Sequence, residues 1–194
     1  MKRWTHFTLA FVAAVSLTAC TGEADPYADD MTEPDSTDTI NPPDAGTTAL
    51  NTSVDEGFVE DMMTSSTTEI EVSQLAQEKA ANAQVKAFAE EVVQDHQQAS
   101  QNLRQVATQQ NVQVTPDTEA IQDAREELTD LSGAEFDRAY IDMMVQDHQD
   151  AVSEVEEKAT DDANPEVQQW ATRTLPTLRE HLDRARQLQE TLQE

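Results

Sequence analysis

Apolar residues recur three or four positions apart along the chain after residue 54, which is the spacing of one face of an α-helix. Turn and capping residues such as Ser132-Gly133 and Asn164-Pro165 interrupt this spacing. The pattern predicts four long helices and one shorter helix over 55–81, 84–111, 117–131, 133–161 and 165–192. Each long helix has an apolar face that another helix must cover. The sequence therefore predicts one all-α domain over 54–194, a four-helix bundle with the short helix in the connection between two hairpins.

The sequence Val-Gln-Asp-His-Gln occurs twice in a chain that has only four histidines, at 93–97 and at 145–149. Both copies place the histidine on the apolar face of its helix, because a large apolar residue stands four positions earlier and an alanine three positions later. His181 lies in the same way between Leu178 and Ala185. These three histidines are therefore predicted to point into the core. The repeat also suggests the hypothesis of an old duplication of a helical hairpin.

The same three histidines lie near the midpoints of their predicted helices, which are of similar length. Midpoints of neighbouring helices lie at the same height whether the helices run parallel or antiparallel, so His96, His148 and His181 should share one layer. Glu69 is the midpoint of the first helix and is predicted to complete the layer. Glu71 is the substitute, because it is rotated from Glu69 by about 200° and only one of the two can point straight inward.

A carboxylate and three imidazoles in a dry core each need a polar partner. One transition-metal ion would satisfy all of them. Zn²⁺ binds such a set in tetrahedral geometry, and Fe²⁺, Mn²⁺ or Cu²⁺ also accepts nitrogen and oxygen ligands. The alternative is a metal-free layer in which the glutamate accepts hydrogen bonds from the imidazoles. The spacing of these residues leaves both interpretations open.

Acidic residues directly precede the three histidines, at Asp95, Asp147 and Glu180. They point about 100° away from the histidines, where they are candidates for orienting an imidazole of a neighbouring helix. Solvated acids on the flank of the bundle are the alternative. The residue three positions before each histidine is apolar, so the Glu-x-x-His pairs of a di-iron carboxylate site are absent. The sequence also lacks a nucleophile elbow and a phosphate loop, so it indicates no particular reaction, and a function without catalysis is favoured over an enzyme.

The beginning of the chain has the pattern of a secretory signal, with basic residues, an apolar run and small residues before the only cysteine, Cys20. The sequence Leu-Thr-Ala-Cys at this point resembles a bacterial lipobox, which predicts that 1–19 is removed and that Cys20 carries a lipid. Residues 20–53 are rich in Pro, Thr and Asp and are expected to form a disordered acidic tether. The residue after Cys20 is Thr21 rather than aspartate, which in the bacterial lipoproteins that this start resembles favours the outer membrane. We therefore expect an outer-membrane lipoprotein that faces the periplasm, with display at the cell surface as the alternative.

The charge of the chain limits its partners. With 12 basic and 39 acidic residues, its formal net charge is −27. This excludes nucleic acid and anionic lipid head groups as natural partners. The expected partners are the membrane, reached through the lipid anchor, and another component of the cell envelope.

Short motifs spread over 58–190 are shared with one protein family. They are Glu69-Ile70-Glu71-Val72, Val85-Lys86-Ala87-Phe88-Ala89, Asp95-His96, Phe136-Asp137, Leu175-Pro176 and His181-Leu182. With these motifs the chain resembles the bacterial envelope family catalogued as domain of unknown function 4142. It departs from the family pattern at Ser73, where glycine is usual. The resemblance implies a ferritin-like four-helix bundle and an envelope location, and it implies no particular reaction.

Three hypotheses of function follow. In the first, a lipid-anchored bundle binds one transition-metal ion through His96, His148, His181 and Glu69, for metal handling or stress protection. In the second, a metal-free envelope module uses the core histidines only to fix helix register and acts by contact with another envelope component. A redox enzyme with an open metal position is a third and less favoured possibility. The position of the carboxylate separates the first two hypotheses, because a solvent-facing Glu69 would leave the site without an anion.

Overall fold

A computed structural model describes residues 53–193 of the chain. Over this range the chain is all-helical. The helices are α1 (Glu56–Lys79), α2 (Ala83–Gln109), α3 (Thr118–Thr129), α4 (Gly133–Asp161) and α5 (Pro165–Gln193). The predicted all-α, ferritin-like four-helix bundle is confirmed, with α3 as the short helix between two hairpins. The predicted signal peptide, the lipidated Cys20 and nearly all of the predicted tether lie outside the described residues.

Side-chain caps explain where the helices begin. The Asp55 carboxylate accepts a hydrogen bond from the Phe58 backbone N–H at 3.1 Å, and Asn82 caps α2 in the same manner. At the start of α5, the Asn164 side chain accepts from two backbone N–H groups at 3.1 Å. None of the helices over 53–193 combines the length and apolar character that crossing a bilayer requires.

Contacts at the helix ends establish the chain direction. The carboxylate of Asp137, near the start of α4, lies at the turn between α1 and α2. Lys158, near the end of α4, forms an ion pair of 2.8 Å with Asp55 at the start of α1. Thus α4 runs antiparallel to α1 and parallel to α2. The short helix α3 runs beside α1 in the same direction. At its start, the Asp117 backbone N–H donates a hydrogen bond to the Thr64 hydroxyl, and at its end the Lys79 ammonium donates to the Thr129 carbonyl. The long helices are therefore arranged up, down, down, up.

The two copies of Val-Gln-Asp-His-Gln lie on α2 and α4, which are parallel and occupy opposite corners of the bundle. A duplicated hairpin would pair the second helix of one hairpin with the second helix of the other, α2 with α5. The repeat instead joins α2 to the first helix of the second hairpin. The similarity thus reflects two parallel helices that face the same layer of the core from opposite sides, and it does not support a hairpin duplication.

The apolar core consists of two clusters. One lies toward the α1–α2 turn and includes Phe88, Phe136 and Tyr140. The other lies toward the start of α1 and includes Phe58 and Trp170, whose rings meet edge to face at 5.9 Å. The buried polar residues Glu69, His96, His148 and His181 separate the two clusters. We call these four residues the polar layer.

The Asp137 side chain should contribute strongly to stability because it joins α4 to the α1–α2 turn. Its side chain is buried, and its two oxygens accept from the backbone N–H groups of Ala81 and Asn82 at 2.9 and 2.8 Å. Asp137→Ala leaves both donors without their charged acceptor and should lower the free energy of unfolding by about 3 kcal/mol in urea titrations. Asp150→Ala, an exposed change on the same helix, should alter it by less than about 0.5 kcal/mol. Equal effects of the two changes would contradict this role.

Candidate metal centre

The four long helices each contribute one side chain to the polar layer. Glu69 comes from α1, His96 from α2, His148 from α4 and His181 from α5, and none is more than 5% exposed. The centroids of the imidazole rings lie 5.3 to 5.5 Å apart. One possible ligand nitrogen from each histidine lies within 4.8 Å of the other two. The layer expected from the helix midpoints is therefore present in the fold.

Glu69 and His96 form the charged part of this layer. His96 Nδ1 lies 2.8 Å from Glu69 Oε2. The two side chains form an ion pair, but these two atoms do not have the geometry of a hydrogen bond. The other carboxylate oxygen lies 4.0 Å from His148 Nδ1 and accepts a hydrogen bond from the Ser65 hydroxyl. Burial opposes ionisation of Glu69, but the nearby imidazoles of His96 and His148 outweigh it and lower the pKa of Glu69 to about 2. Burial likewise opposes protonation of His96, and the Glu69 charge outweighs it and raises the His96 pKa.

Hydrogen bonds to other groups determine which nitrogens of His148 and His181 carry a proton. His148 Nδ1 lies 3.0 Å from the carbonyl oxygen of Met144, which can only accept, so this nitrogen carries the proton and Nε2 has a free lone pair. His181 Nε2 lies 3.0 Å from a carboxylate oxygen of Asp95 and therefore also donates. Its Nδ1 is left with the free lone pair. These two lone pairs face each other, with His148 Nε2 and His181 Nδ1 separated by 3.3 Å.

Two facing acceptors at this distance repel each other unless a cation lies beside them. A proton is a weak candidate, since burial lowers the pKa of His148, and burial together with the neighbouring His96 and His148 lowers the pKa of His181 to about 4. His96 Nε2 is a third buried nitrogen, and it has no hydrogen-bond partner among residues 53–193. The donor set therefore fits a transition-metal ion that binds three imidazole nitrogens.

The acidic residues singled out in the sequence occupy different environments. Glu71 lies outside the polar layer, with a side chain 40% exposed and 3.8 Å from Arg125. The Asp95 carboxylate accepts a hydrogen bond from His181 Nε2. Asp147 is half-buried and has no hydrogen bond to an imidazole within the described range; burial and the Glu69 charge raise its pKa to about 7. Glu180 is exposed.

Two hydrogen-bond partners of the polar layer were not predicted from the sequence. The Met144 carbonyl holds His148 and the Ser65 hydroxyl contacts Glu69, each from four residues earlier on the same helix. That spacing was visible, since side chains four residues apart on a helix are neighbours. Ser100 is also buried, and its hydroxyl has no hydrogen-bond partner in residues 53–193. It stands four residues after His96 on α2.

A solved structure with the same fold is a fragment of a DUF305 protein from Deinococcus radiodurans. It aligns with a TM-score of 0.59 and 17% sequence identity, over 71% of this chain and 93% of that one. At this identity the likeness shows the fold alone. None of the curated proteins compared with the chain matches it. A family model described as "Domain of unknown function (DUF4142)" matches residues 40–188. Because this match covers most of the chain, the protein belongs to the DUF4142 family.

Proposed function

We propose that the protein binds one transition-metal ion in the core of its bundle through His96 Nε2, His148 Nε2 and His181 Nδ1. One observation carries the proposal: two imidazole lone pairs face each other at 3.3 Å, and their other nitrogens are held by Met144 and Asp95. A cation between them would turn a repulsive contact into two coordinate bonds. Three imidazoles suit Zn²⁺, Cu²⁺ or Fe²⁺ and leave a further coordination position open.

The contacts favour an orienting role for Glu69 over direct ligation. Its carboxylate lies against His96 Nδ1, and the ligand atoms that lie within 4.8 Å of one another come from the three histidines. A carboxylate on the far nitrogen of a metal-binding imidazole fixes the orientation of the ring and raises its basicity. Asp95 does the same for His181. The two carboxylates would also balance the charge of a divalent ion.

We further propose that the domain is held at the cell envelope by a lipid on Cys20. The sequence supports this, with an apolar run and the motif Leu-Thr-Ala-Cys at the end of a basic N-terminus. The proposed location is the periplasmic face of the outer membrane. In that place a buried three-histidine site serves metal handling or protection against metal stress. The high negative charge of the chain attracts cations toward its surface.

Metal analysis tests the proposal directly. The protein, produced without a polyhistidine tag and reconstituted with Zn²⁺ or Co²⁺, should retain about one equivalent of metal. At a free metal concentration of 100 Kd, the bound ion should add about 2.7 kcal/mol to the free energy of unfolding and raise the melting temperature. His148→Ala should lose both effects. Gln146→Ala, an exposed change on the same helix, should keep them.

The proposal is contradicted if the wild-type protein retains less than about 0.1 equivalent of any transition metal and its melting temperature does not rise with metal. The layer would then be a metal-free device that fixes helix register, and the protein would act through contact with another envelope component. Stoichiometric binding that survives His148→Ala would place the metal elsewhere and would count against this site.

A further inference from the structure

Within residues 53–193, the buried side-chain nitrogen and oxygen atoms that have no hydrogen-bond partner are concentrated in one place. They belong to Glu69, His96 and Ser100. Glu69 and His96 are members of the polar layer, and Ser100 lies one helical turn after His96 on α2. Glu69 and His96 form an ion pair with each other. The Ser100 hydroxyl is therefore the polar group of this set that neither a hydrogen bond nor an ion pair explains.

The Ser100 hydroxyl differs from other helical hydroxyls of this chain. Thr108 on the same helix and Thr160 on α4 donate to the carbonyl oxygen four residues earlier, at 2.7 and 2.8 Å. Ser100 is only 8% exposed, and its hydroxyl forms no such bond within the described residues. A buried hydroxyl without a hydrogen bond lowers stability, and in native proteins such a group usually contacts an ordered water or a ligand. The Ser100 hydroxyl therefore indicates a bound molecule.

The direction of the helix turns the Ser100 side chain toward the polar layer. Side chains on an α-helix lean toward the N-terminus of their helix, which for Ser100 is the side of His96. The two residues are about 6 Å apart along the helix axis. Two hydrogen bonds of about 2.8 Å, made by one water molecule, span a gap of this size. One water would thus connect the Ser100 hydroxyl with the centre of the layer.

The two sides of the polar layer differ in their access to water. Toward the α1–α2 turn, Phe88 packs edge to face against the His181 ring, with centroids 6.0 Å apart. On the other side, where Ser100 lies, a cavity of about 170 Å³ bordered by α1, α2 and α5 reaches His96 and Ala99. Hydroxyl and amide groups in the lining of this cavity make it suitable for water. Water therefore approaches the layer from the Ser100 side.

We propose that a water molecule is the fourth ligand of the ion in the polar layer and that the Ser100 hydroxyl holds this water by a hydrogen bond. The inference rests on the proposed metal site, whose three imidazoles leave this coordination position open. Ser100 does not touch the ion and is a positioning residue, which fixes the water on the open side of the layer. Glu69 does not take the fourth position, since its carboxylate stays against His96 Nδ1.

The full chain loaded with Co²⁺ provides the test, because the visible absorption of Co²⁺ changes when a coordinated water loses a proton. In the wild-type protein this change should have its midpoint between about pH 7 and 9. Ser100→Ala should raise the midpoint by about one pH unit, since the hydroxyl donates to the deprotonated water and favours it. Ser100→Thr keeps the hydroxyl and should retain the wild-type midpoint. Ser66→Ala, which removes a half-buried hydroxyl that lines the cavity, is the matched control and should leave the midpoint unchanged.

A high-resolution structure of the Zn²⁺-loaded wild-type protein is a second measurement, which needs no variant. It should show a solvent oxygen about 2.1 Å from the ion and about 2.8 Å from Ser100 Oγ. Glu69 in the fourth coordination position, or equal midpoints for Ser100→Ala and Ser66→Ala, would overturn this inference and leave the proposed metal site intact. Failure of the wild-type protein to retain metal would overturn both.

Discussion

Glu69→Gln should lower the free energy of unfolding of the metal-free protein by about 3 kcal/mol, which is the typical cost of removing one partner of a buried ion pair. Glu69 is 1% exposed, and its charge compensates the imidazole of His96 at 2.8 Å. Urea unfolding monitored by circular dichroism at about pH 6 measures the change. Glu71→Gln is the matched control, since this glutamate is two residues away and faces an exposed arginine; it should cost less than about 0.5 kcal/mol.

The pH dependence of this difference follows from the two pKa shifts. The folded-state pKa of Glu69 lies below its usual value of 4.5, so its contribution is fully present above pH 4.5 and is lost as the pH falls toward about 2. The folded-state pKa of His96 lies above 6.5, so its contribution is fully present below pH 6.5 and is lost as the pH rises through the raised value. The free energy of unfolding of the wild-type protein should therefore exceed that of the Glu69→Gln variant by the largest margin between pH 4.5 and 6.5. A margin that stays constant from pH 3 to 9 would show that the buried pair is not charged.

Replacing the whole polar layer by apolar residues should have the opposite effect to removing one member of it. The variant Glu69→Met, His96→Leu, His148→Leu, His181→Leu joins the two apolar clusters into one core. Exchange of buried ionic groups for well-packed apolar side chains of similar volume is often neutral or stabilising by about 1–4 kcal/mol. We expect the quadruple variant to unfold at a higher urea concentration than the metal-free wild-type protein and to show no response to metal.

The control for this experiment keeps Glu69 and changes only the three histidines to leucine. That variant leaves a buried carboxylate without a partner and should lose about 3–5 kcal/mol. The two results together would show that the layer lowers the stability of the metal-free bundle and is retained for another purpose. If the quadruple variant is instead less stable than the wild-type protein, the layer itself contributes to the stability of the metal-free bundle.

Helical periodicity was sufficient to predict the fold and the positions of the three histidines. The predicted ends differ from the observed ones by no more than about two residues, because caps such as Asn82 and Asn164 are local signals. The shared height of the histidines was also predictable, since it depends on helix length alone and not on chain direction. Glu69 was predicted to lie in the layer in preference to Glu71 because Glu69 is the midpoint of the first predicted helix.

The roles of the acids that precede the histidines were not predictable, because they depend on which helix lies on each side. Asp95 and Asp147 hold equivalent positions on parallel helices at opposite corners of the bundle. The side of α2 that carries Asp95 faces α5, which presents His181. The electrostatic influence of Glu69 on Asp147 indicates that the same side of α4 faces α1, where the layer has a carboxylate and no imidazole. Periodicity gives the rotation of each side chain about its own helix, but the order of helices around the bundle follows from the whole packing.

The location of the polar layer has a consequence for how quickly the ion proposed to bind there would be exchanged. Each histidine comes from a different long helix, and His96 lies about 20 Å from either end of α2. Fraying of helix ends, the most frequent local opening of a bundle, therefore does not expose the layer. The cavity beside His96 is a shorter path to solvent. The residence time of an ion bound by the layer, as proposed above, would thus be set by the side chains that line this path.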